Sequence, residues 1–559
     1  MIVEKIQNFL CVAAKKIFLC VHIFIVVMIL LEFGRLAGDV FPLHYQLLNA
    51  LLALLGLTAI FLLFFICCTR KIAGCVCKKN RVVMFCIFYA VIIFVMQMYL
   101  CKCIYFYTTW DVGILQSAAD VVTHGGTIQD WISQRGDSFS QNYFNAYPNN
   151  IFLTIIFAGI KYLSSLFGCV DNYFPTIVAG VISTDAAIVF TVMTVWKLTH
   201  SRKVTFLSII ICTVFLGFNP WIIIPYSDTY VLPFLSAVLY FYCSMKDEKK
   251  GYASWIGIVI AASLGIKIKP TVVIALLAIV LAEIFFLRKC QIKEIAAKCL
   301  IVAGGTIIVL GLINSLSDAV YDQRNGDAQM TWQHYLMMGA NEETYGSYFG
   351  VDRERSWGIS DSEKRKEMQI EVWRQRISEK GIWGTIKFYM QKLIIANADG
   401  SFAWGWEGNF FGEYRGLHSE FAQKLQSFYY AQDNKMIYNI LQSIWVSIQI
   451  LVCFFAIFFD NRNKRALFIA MTLTGINLFL MIFEVRARYL FVFVPFYIIF
   501  WTYKTAQRVD KMAAAKGISS DMATLCLIFA IFVPIIPPIL LQDKMNNIAM
   551  ANDTQSISA

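Results

Sequence analysis

Charged residues are scarce in this chain. Asp, Glu, Lys and Arg make up 15% of its 559 residues, whereas 58% are hydrophobic and the mean hydropathy is +0.60. No water-soluble domain of this length has such a composition, so a soluble globular protein is excluded. Many windows of about 18 or more apolar residues could span roughly 30 Å of hydrocarbon. The sequence therefore predicts an all-α polytopic membrane protein.

Several familiar motifs are also missing. The chain has no G-x-S-x-G, H-E-x-x-H, P-loop or G-x-G-x-x-G in a suitable context, so nucleotide chemistry has no support. It has no internal repeat and no low-complexity tract. Its 16 cysteines form no disulfide framework and suggest buried, inert thiols, and its six histidines have no ligand spacing.

We predict thirteen membrane spans. They lie near residues 17–36, 45–67, 82–105, 175–197, 204–222, 229–245, 252–268, 271–288, 298–317, 437–459, 466–484, 488–503 and 523–541. The first span is predicted to be a retained helix, because no small-residue cleavage pattern follows its long apolar run. The segment Asn150–Gly168 is short and is interrupted by Lys161 and two serines. It is predicted to be an interfacial or re-entrant helix.

The distribution of Lys and Arg predicts the orientation. Basic residues concentrate in alternate short loops, such as Thr69–Arg81, His200–Lys203 and Asn461–Arg465. By the positive-inside rule these loops and the N-terminus are cytoplasmic. The formal charge of +11 then mostly reflects the basic residues that orient the chain in the membrane. It does not indicate a nucleic-acid partner. We expect a multi-pass protein of the cytoplasmic (plasma) membrane with its active face outside.

Four parts are predicted along the chain. Residues 1–81 hold two N-terminal spans, and 82–316 form a transmembrane core with a first outer loop at 106–174. Residues 317–435 form a large extracellular region that lies against the membrane, and 436–559 hold the C-terminal spans. Loops this long and this rich in aromatic residues are usually functional. We expect both outer regions to contain interfacial helices and to carry the activity.

Two carboxylates are predicted at the outer membrane boundary. Asp111 follows the third span in TTWDVGILQSAAD, and Asp228 lies in NPWIIIPYSDTYVLPF. Asp111 is either a solvated helix-end charge or a catalytic base, and Asp228 is either a helix cap or a second acidic site. Asp120 does not share the helical face of Asp111, so it is predicted to be a solvated charge or a minor acceptor contact. Asp185 lies deep in the fourth span, where a carboxylate is usually paired or functional, as in a proton relay.

Four cations are predicted at the same boundary. Lys267 and Lys269 lie in GIKIKPT, and Arg486 and Arg488 lie in FEVRARYL. They are either anchors that snorkel to the interface or donors that bind a phosphate at headgroup depth. Aromatic and amide side chains suit sugar rings and hydroxyls. The predicted sugar or acceptor contacts are Trp110, Tyr147, Asn149, Asn150, Tyr226 and Glu407.

At these positions the chain resembles the GT-C superfamily of integral membrane glycosyltransferases, which includes protein O-mannosyltransferases and the aminoarabinose transferase of lipid A. Asp111 in YTTWDVG matches the acidic residue of the family's first large outer loop. The segments YFNAYPNN, IPYSDTYVLPF, IKIKPT and FEVRARYLF follow in the family's order, and the similarity covers roughly residues 82–500. Two extra spans precede this stretch. The second motif has one carboxylate where metal-dependent members have two, which argues against a divalent metal held by Asp111 and Asp228.

The resemblance implies a glycosyltransferase that takes a sugar from a polyprenyl-phosphate donor. The acceptor would be a glycan, a lipid or a protein, and one base without a nucleophile implies inversion. Asp111 would be the base, and the four cations would stabilise the leaving phosphate. Two other functions stay open. A transporter or flippase of lipid-linked saccharides needs charges along a central path, and a non-catalytic membrane protein needs no matched charges on one face.

Overall fold

A computed structural model describes most of the chain. The described residues are 2–38, 41–68, 79–169, 172–245, 252–286, 292–405, 407, 411–430 and 435–514. The predicted span 523–541 and parts of the basic loops lie outside the described residues.

A helix corresponds to each of the first twelve predicted spans. These helices are Ile2–Leu30, Asn49–Cys68, Lys79–Ile104, Phe174–Thr199, Arg202–Cys212, Leu232–Ser244, Tyr252–Ile268, Val273–Phe285, Ile292–Val320, Met436–Phe458, Lys464–Ile482 and Val494–Ala514. The first begins earlier than predicted, because Lys15 and Lys16 are good helix formers and do not interrupt it. It also ends earlier, where Glu32 adopts a left-handed conformation with φ of 60°.

Among the described residues, seven helices are long and apolar enough to cross a membrane, and three apolar helices are shorter. These findings support an all-α polytopic membrane protein. One of the seven is Asn149–Leu166, which the sequence predicts to be interfacial. Because length and composition alone do not distinguish a crossing from an interfacial helix, the number of crossings and their sidedness stay predictions.

The two N-terminal helices belong to the main bundle. Helix Asn49–Cys68 packs along Met436–Phe458, and helix Ile2–Leu30 packs against both Met436–Phe458 and Lys464–Ile482. Gln442, near the start of helix Met436–Phe458, donates from Nε2 to the side-chain oxygen of Asn49 at 2.7 Å. The first and last thirds of the described chain therefore share one core.

The first outer loop is helical. Its helices are Trp110–Thr123, Ile128–Arg135, Ser138–Ala146 and Asn149–Leu166. The hydroxyl of Thr127 and the carboxylate of Asp137 accept backbone N–H groups at the starts of the second and third helices, as N-caps do. The first helix packs along the fourth, and Lys161 joins them through an ion pair with Asp120 at 2.7 Å.

The second outer region contains the helices Trp332–Gly339, Gly350–Trp357, Ser362–Asn397 and Glu420–Tyr430. The long third helix is kinked at Gly381, where φ is 63°. Arg376 on this helix forms a bidentate ion pair with the buried Asp352, in which both N–O distances are 2.8 Å. That pair fixes the second helix to the third.

The helical architecture includes one small two-stranded sheet. Strand β1 (Phe106–Thr108) pairs antiparallel with strand β2 (Phe411–Tyr414). The pairing joins the start of the first outer loop to the second outer region. Strands of three and four residues are too short to show a hydrophobic alternation in the sequence. Their pairing also depends on a partner strand some 300 residues away in the chain. β1 ends at Thr108, and the helix that contains Asp111 begins at Trp110.

Candidate functional site

A cavity of about 990 Å³ lies between the two outer regions. It lies among the first outer loop, the turn that contains Tyr226, the segment Lys269–Thr271, and the turn from Glu484 to Tyr489. Its volume is at the upper end of the range for small-molecule sites.

Nine of the twelve residues predicted for the site line this cavity. They are Trp110, Asp111, Tyr147, Asn149, Asn150, Tyr226, Lys269, Arg486 and Arg488. Asp228 and Glu407 lie directly behind the lining and pair with its cations. Lys267 is apart from the cavity lining, because its Nζ donates to Asn314 Oδ1 at 2.6 Å. The prediction that Lys267 joins the phosphate site is therefore not supported by its position.

Asp111 lies in the first turn of the helix that follows β1. The residue before it, Trp110, has φ of 61°, a left-handed conformation that a bulky side chain rarely adopts. Strain of this kind persists only where the surrounding structure imposes it, and it concentrates at functional sites. The turn brings the Asp111 carboxylate to the cavity wall, where the side chain of Trp110 is 47% exposed.

Two tyrosines hold the Asp111 carboxylate. The hydroxyl of Tyr143 donates to Oδ1 and the hydroxyl of Tyr226 donates to Oδ2, both at 2.8 Å. Asn150 donates in turn to the Tyr143 oxygen at 2.8 Å. Burial, and then the negative charge of Asp111, raise the pKa of both phenols well above the usual range. Both hydroxyls therefore remain protonated donors, and the carboxylate oxygens keep further lone pairs for a ligand.

Lys269, which lines the cavity, forms a buried ion pair with Asp228. Lys269 is 7% exposed and Asp228 is 2% exposed, and Nζ contacts Oδ1 directly. The ammonium also lies 4.5 Å from the ring centroid of Tyr489. Asp228 is thus not the helix cap that its sequence context allows. Its Oδ2 is buried and has no hydrogen-bond partner among the described residues.

Arg486 and Arg488 converge on one carboxylate. Glu407 has no exposed side-chain surface, and its two oxygens lie 2.9 Å from Arg486 Nη1 and 3.1 Å from Arg488 Nη1. Arg486 also pairs with Glu484 at 3.1 Å. Burial by itself would lower the pKa of Arg486, but the charges of Glu407 and Glu484 hold it above the usual value. Both arginines are buried, so they are not interfacial anchors that snorkel.

The role of Glu407 therefore differs from the sequence prediction. The sequence suggests a contact to a sugar or acceptor, whereas the structure places Glu407 beneath the two arginines as their shared counter-ion. The carboxylate is absent from the cavity lining. A buried carboxylate between two guanidinium groups fixes their orientation at the wall.

The cavity lining carries a net positive charge. Four cations and two carboxylates give it a formal charge of +2. The cations are Lys269, Arg353, Arg486 and Arg488, and the carboxylates are Asp111 and Glu484. Tyr226 connects the two kinds of group, because its hydroxyl bonds Asp111 while its ring centroid lies 5.7 Å from Arg488 Cζ. Asp228 and Glu407, directly behind the lining, offset this charge, so the positions of the cationic groups matter more than the net charge.

Two further carboxylates have partners that the sequence does not identify. Asp120 is not simply a solvated charge, since it accepts from Lys161 at 2.7 Å and from Asn172 at 3.0 Å, and it does not line the cavity. Asp185 has a partner that the sequence does not identify, because Gln97 Nε2 donates to it at 3.0 Å. Gln97 also donates to the carbonyl of Gly217, at the end of a π-helical turn.

The two acidic residues suggested for a metal do not form a metal site. Asp111 accepts from two tyrosines, and Asp228 pairs with Lys269. Within the described part of the chain, no group of three or more His, Cys, Asp or Glu side chains could hold a metal ion. A cation at Asp228 would have to displace the Lys269 ammonium.

Sequence reasoning missed several cavity residues. Tyr143 lies in the aromatic, amide-rich stretch of the first outer loop, and Glu484 lies beside the two arginines, so both had a local signal. Tyr348 and Arg353 also line the cavity, but nothing in their sequence context separates them from other residues of the second outer region. Their position depends on the packing of helix Gly350–Trp357.

Comparisons with known proteins place the chain in one family. No curated protein and no solved structure shows significant similarity to it. The GT-C resemblance therefore stays a proposal. The family described as "conserved hypothetical integral membrane protein" matches residues 10–509, which is most of the chain. This description agrees with the apolar helices of the described structure. The chain belongs to this family of integral membrane proteins.

Proposed function

We propose that the protein is a membrane glycosyltransferase that moves a sugar from a polyprenyl-phosphate donor to an acceptor hydroxyl. One observation carries the proposal: a single cavity brings the carboxylate of Asp111 together with Lys269, Arg486 and Arg488. Glycosyl transfer from a phosphate needs a base for the acceptor and cationic donors for the leaving group. The acceptor would be a glycan, a lipid or a protein at the outer face of the cytoplasmic membrane.

Asp111 is the proposed base. In the proposed step the acceptor oxygen attacks the anomeric carbon, and the bond from that carbon to the phosphate oxygen breaks. The acceptor proton moves to Asp111, and the bonding electrons leave with the phosphate. Because a single displacement occurs without a protein nucleophile, the configuration inverts. Hydrogen bonds from Tyr143 and Tyr226 hold the carboxylate in one orientation, which is the geometric requirement for a general base.

We assign the hydrogen bonds to the leaving phosphate to three cations, Lys269, Arg486 and Arg488. Each already has a buried carboxylate partner, so the cluster is close to neutral and does not act through excess charge alone. A guanidinium has five N–H donors, and only some of them contact Glu407 or Glu484. The carboxylates orient the guanidinium groups before the polyprenyl-phosphate sugar binds. Hydrogen-bond donors that are preorganised in this way stabilise developing negative charge effectively.

Apolar residues beside the cations support a lipid-linked donor. Ile268, Phe479 and Phe483 line the same cavity as the cations, and Ile268 directly precedes Lys269 in the chain. A polyprenyl chain could therefore continue from the phosphate along an apolar surface. A transporter would instead require charges along a path through the bundle, and the deep carboxylate Asp185 is bonded to Gln97 rather than joined to this cluster.

The test is transfer by membrane vesicles that contain the full chain. Radiolabelled polyprenyl-phosphate hexoses are offered with cell-envelope acceptor fractions, and labelled product is counted. Asp111→Asn keeps the shape of the side chain but removes the base, so turnover should fall about 100-fold or more. Asp322→Asn is the matched control, because Asp322 is exposed and lies outside the cavity lining. Unchanged transfer by Asp111→Asn would refute the proposed base.

A further inference from the structure

A fourth cation, Arg353, lines the cavity away from the paired cluster. It belongs to helix Gly350–Trp357 of the second outer region. Its ion-pair partner is the next residue, Glu354, whose side chain is 61% exposed. An exposed pair of this kind contributes little and is easily exchanged for another anion. Arg353 therefore differs from Lys269, Arg486 and Arg488, whose partner carboxylates are buried.

Aromatic rings hold Arg353 in place. Its Cζ lies 4.9 Å from the ring centroid of Trp357, 5.4 Å from that of Phe139 and 5.9 Å from that of Tyr348. Stacking on ring faces restrains a guanidinium without neutralising its charge. The side chain is 23% exposed and lines the cavity. This combination of restraint, charge and access is what an anion-binding arginine requires.

Arg353 is connected to the Asp111 side of the cavity. The ring of Phe139, which it contacts, lies 5.8 Å from the ring of Tyr143, and the Tyr143 hydroxyl bonds Asp111. On its other side Arg353 shares Tyr348 with Arg486, whose Cζ lies 5.7 Å from the same ring centroid. One aromatic ring thus separates Arg353 from the proposed donor-phosphate cluster.

We propose that Arg353 binds an oxyanion of the acceptor, so that the preferred acceptor is acidic and carries a phosphodiester or a carboxylate near the hydroxyl that is glycosylated. The designation of the anion as part of an acceptor rests on the proposed function. The binding of an oxyanion at Arg353 does not, because it depends only on the guanidinium and its surroundings.

Binding to purified full-length protein tests the proposal. The protein is placed in nanodiscs of a neutral phosphatidylcholine, and three soluble probes of similar length are titrated at fixed salt. The probes are an oligomer of glycerol phosphate, an oligogalacturonate and a neutral maltooligosaccharide. Arg353→Gln is compared with Arg355→Gln, a matched control in which an exposed arginine of the same helix, outside the cavity lining, loses the same charge.

We expect wild type and Arg355→Gln to bind at least one acidic probe with similar affinity. Arg353→Gln should bind that probe about tenfold more weakly or worse, since it loses a charge-assisted contact. The affinity for the neutral probe should be the same in all three proteins. Arg353→Lys keeps the charge but loses the planar fork, so it should recover part of the binding even if Arg353→Gln is poorly folded.

Three results would overturn the proposal. They are equal weakening by Arg353→Gln and Arg355→Gln, no weakening by Arg353→Gln, and no recovery by Arg353→Lys.

A fourth arm tests the source of the anion with nanodiscs that contain phosphatidylglycerol. If this lipid displaces the oligomers only when Arg353 is present, the site takes a lipid head group and the acceptor assignment is wrong. Sugar transfer by Asp111→Asn is measured in a separate assay, so a failure of the proposed base and a failure of oxyanion binding at Arg353 give different results.

Discussion

Glu407 is the shared counter-ion of Arg486 and Arg488, and its removal should change the free energy of unfolding. This prediction does not depend on the proposed reaction. Glu407→Gln keeps the size of the side chain and removes its charge. Arg488 then loses its buried carboxylate partner, whereas Arg486 keeps Glu484 at 3.1 Å. Removing one member of a buried ion pair costs about 3–5 kcal/mol, because an uncompensated charge stays in a low-dielectric environment. Since Arg486 keeps one partner, we expect one such penalty rather than two.

The free energy of unfolding is measured in detergent micelles by urea titration, followed by tryptophan fluorescence. Urea is uncharged and does not screen ion pairs as a guanidinium salt would. Glu413→Gln is the matched control, because Glu413 pairs with Arg415 at the surface, where the two side chains are 63% and 43% exposed. That pair should be worth less than about 1 kcal/mol.

A second variant separates charge from packing. Glu407→Gln combined with Arg488→Gln removes the carboxylate and the cation it leaves unpaired, so part of the lost stability should return. The reasoning would be refuted if Glu407→Gln costs no more than Glu413→Gln. It would also be refuted if the double variant is as unstable as the sum of its single variants.

Two further predictions concern the site and its surroundings. Asp228→Asn combined with Lys269→Gln removes a buried pair without leaving a charge, so the fold should persist while the KM for the polyprenyl-phosphate donor rises about tenfold. Lys267→Gln should leave this KM unchanged, and an equal effect of both changes would contradict the assignment. Burial lowers the pKa of His334 to about 4, below the usual 6.5, although the charge of Asp352 acts in the opposite direction. Because the unfolded chain binds this proton first, the free energy of unfolding should fall as the pH drops from about 6.5 toward 4. The difference in unfolding free energy between wild type and His334→Gln should change by about 2 kcal/mol from pH 7 to pH 5, and a constant difference would refute it.

Local sequence predicted several site residues well because they lie where apolar runs end. Asp111, Arg486 and Arg488 each stand beside a span, and such junctions are visible in hydropathy alone. All three line the same cavity. Sequence could not distinguish a snorkelling arginine from a buried one, since that depends on whether a carboxylate from a distant segment reaches it. Glu407, which does so, is 79 residues from Arg486.

Other parts of the site required the tertiary structure. Lys267 and Lys269 look equivalent in GIKIKPT, yet residues two apart do not share a helical face. The helix ends at Ile268, and Lys269 adopts an extended conformation with φ of −145°, so only the second lysine reaches Asp228. The tyrosines that hold Asp111 lie 32 and 115 residues from it in sequence.

The sequence by itself determined that this chain is an integral membrane protein, because apolar helices must bury their backbone polar groups within themselves to enter lipid. It also determined where acidic and basic side chains interrupt that pattern. Only the tertiary structure decided which of these charges meet, because ion pairing in a buried cavity depends on distances of about 3 Å between segments far apart in the chain. It is this pairing that gathers Asp111, Lys269, Arg486 and Arg488 around one cavity and leaves Lys267 outside it.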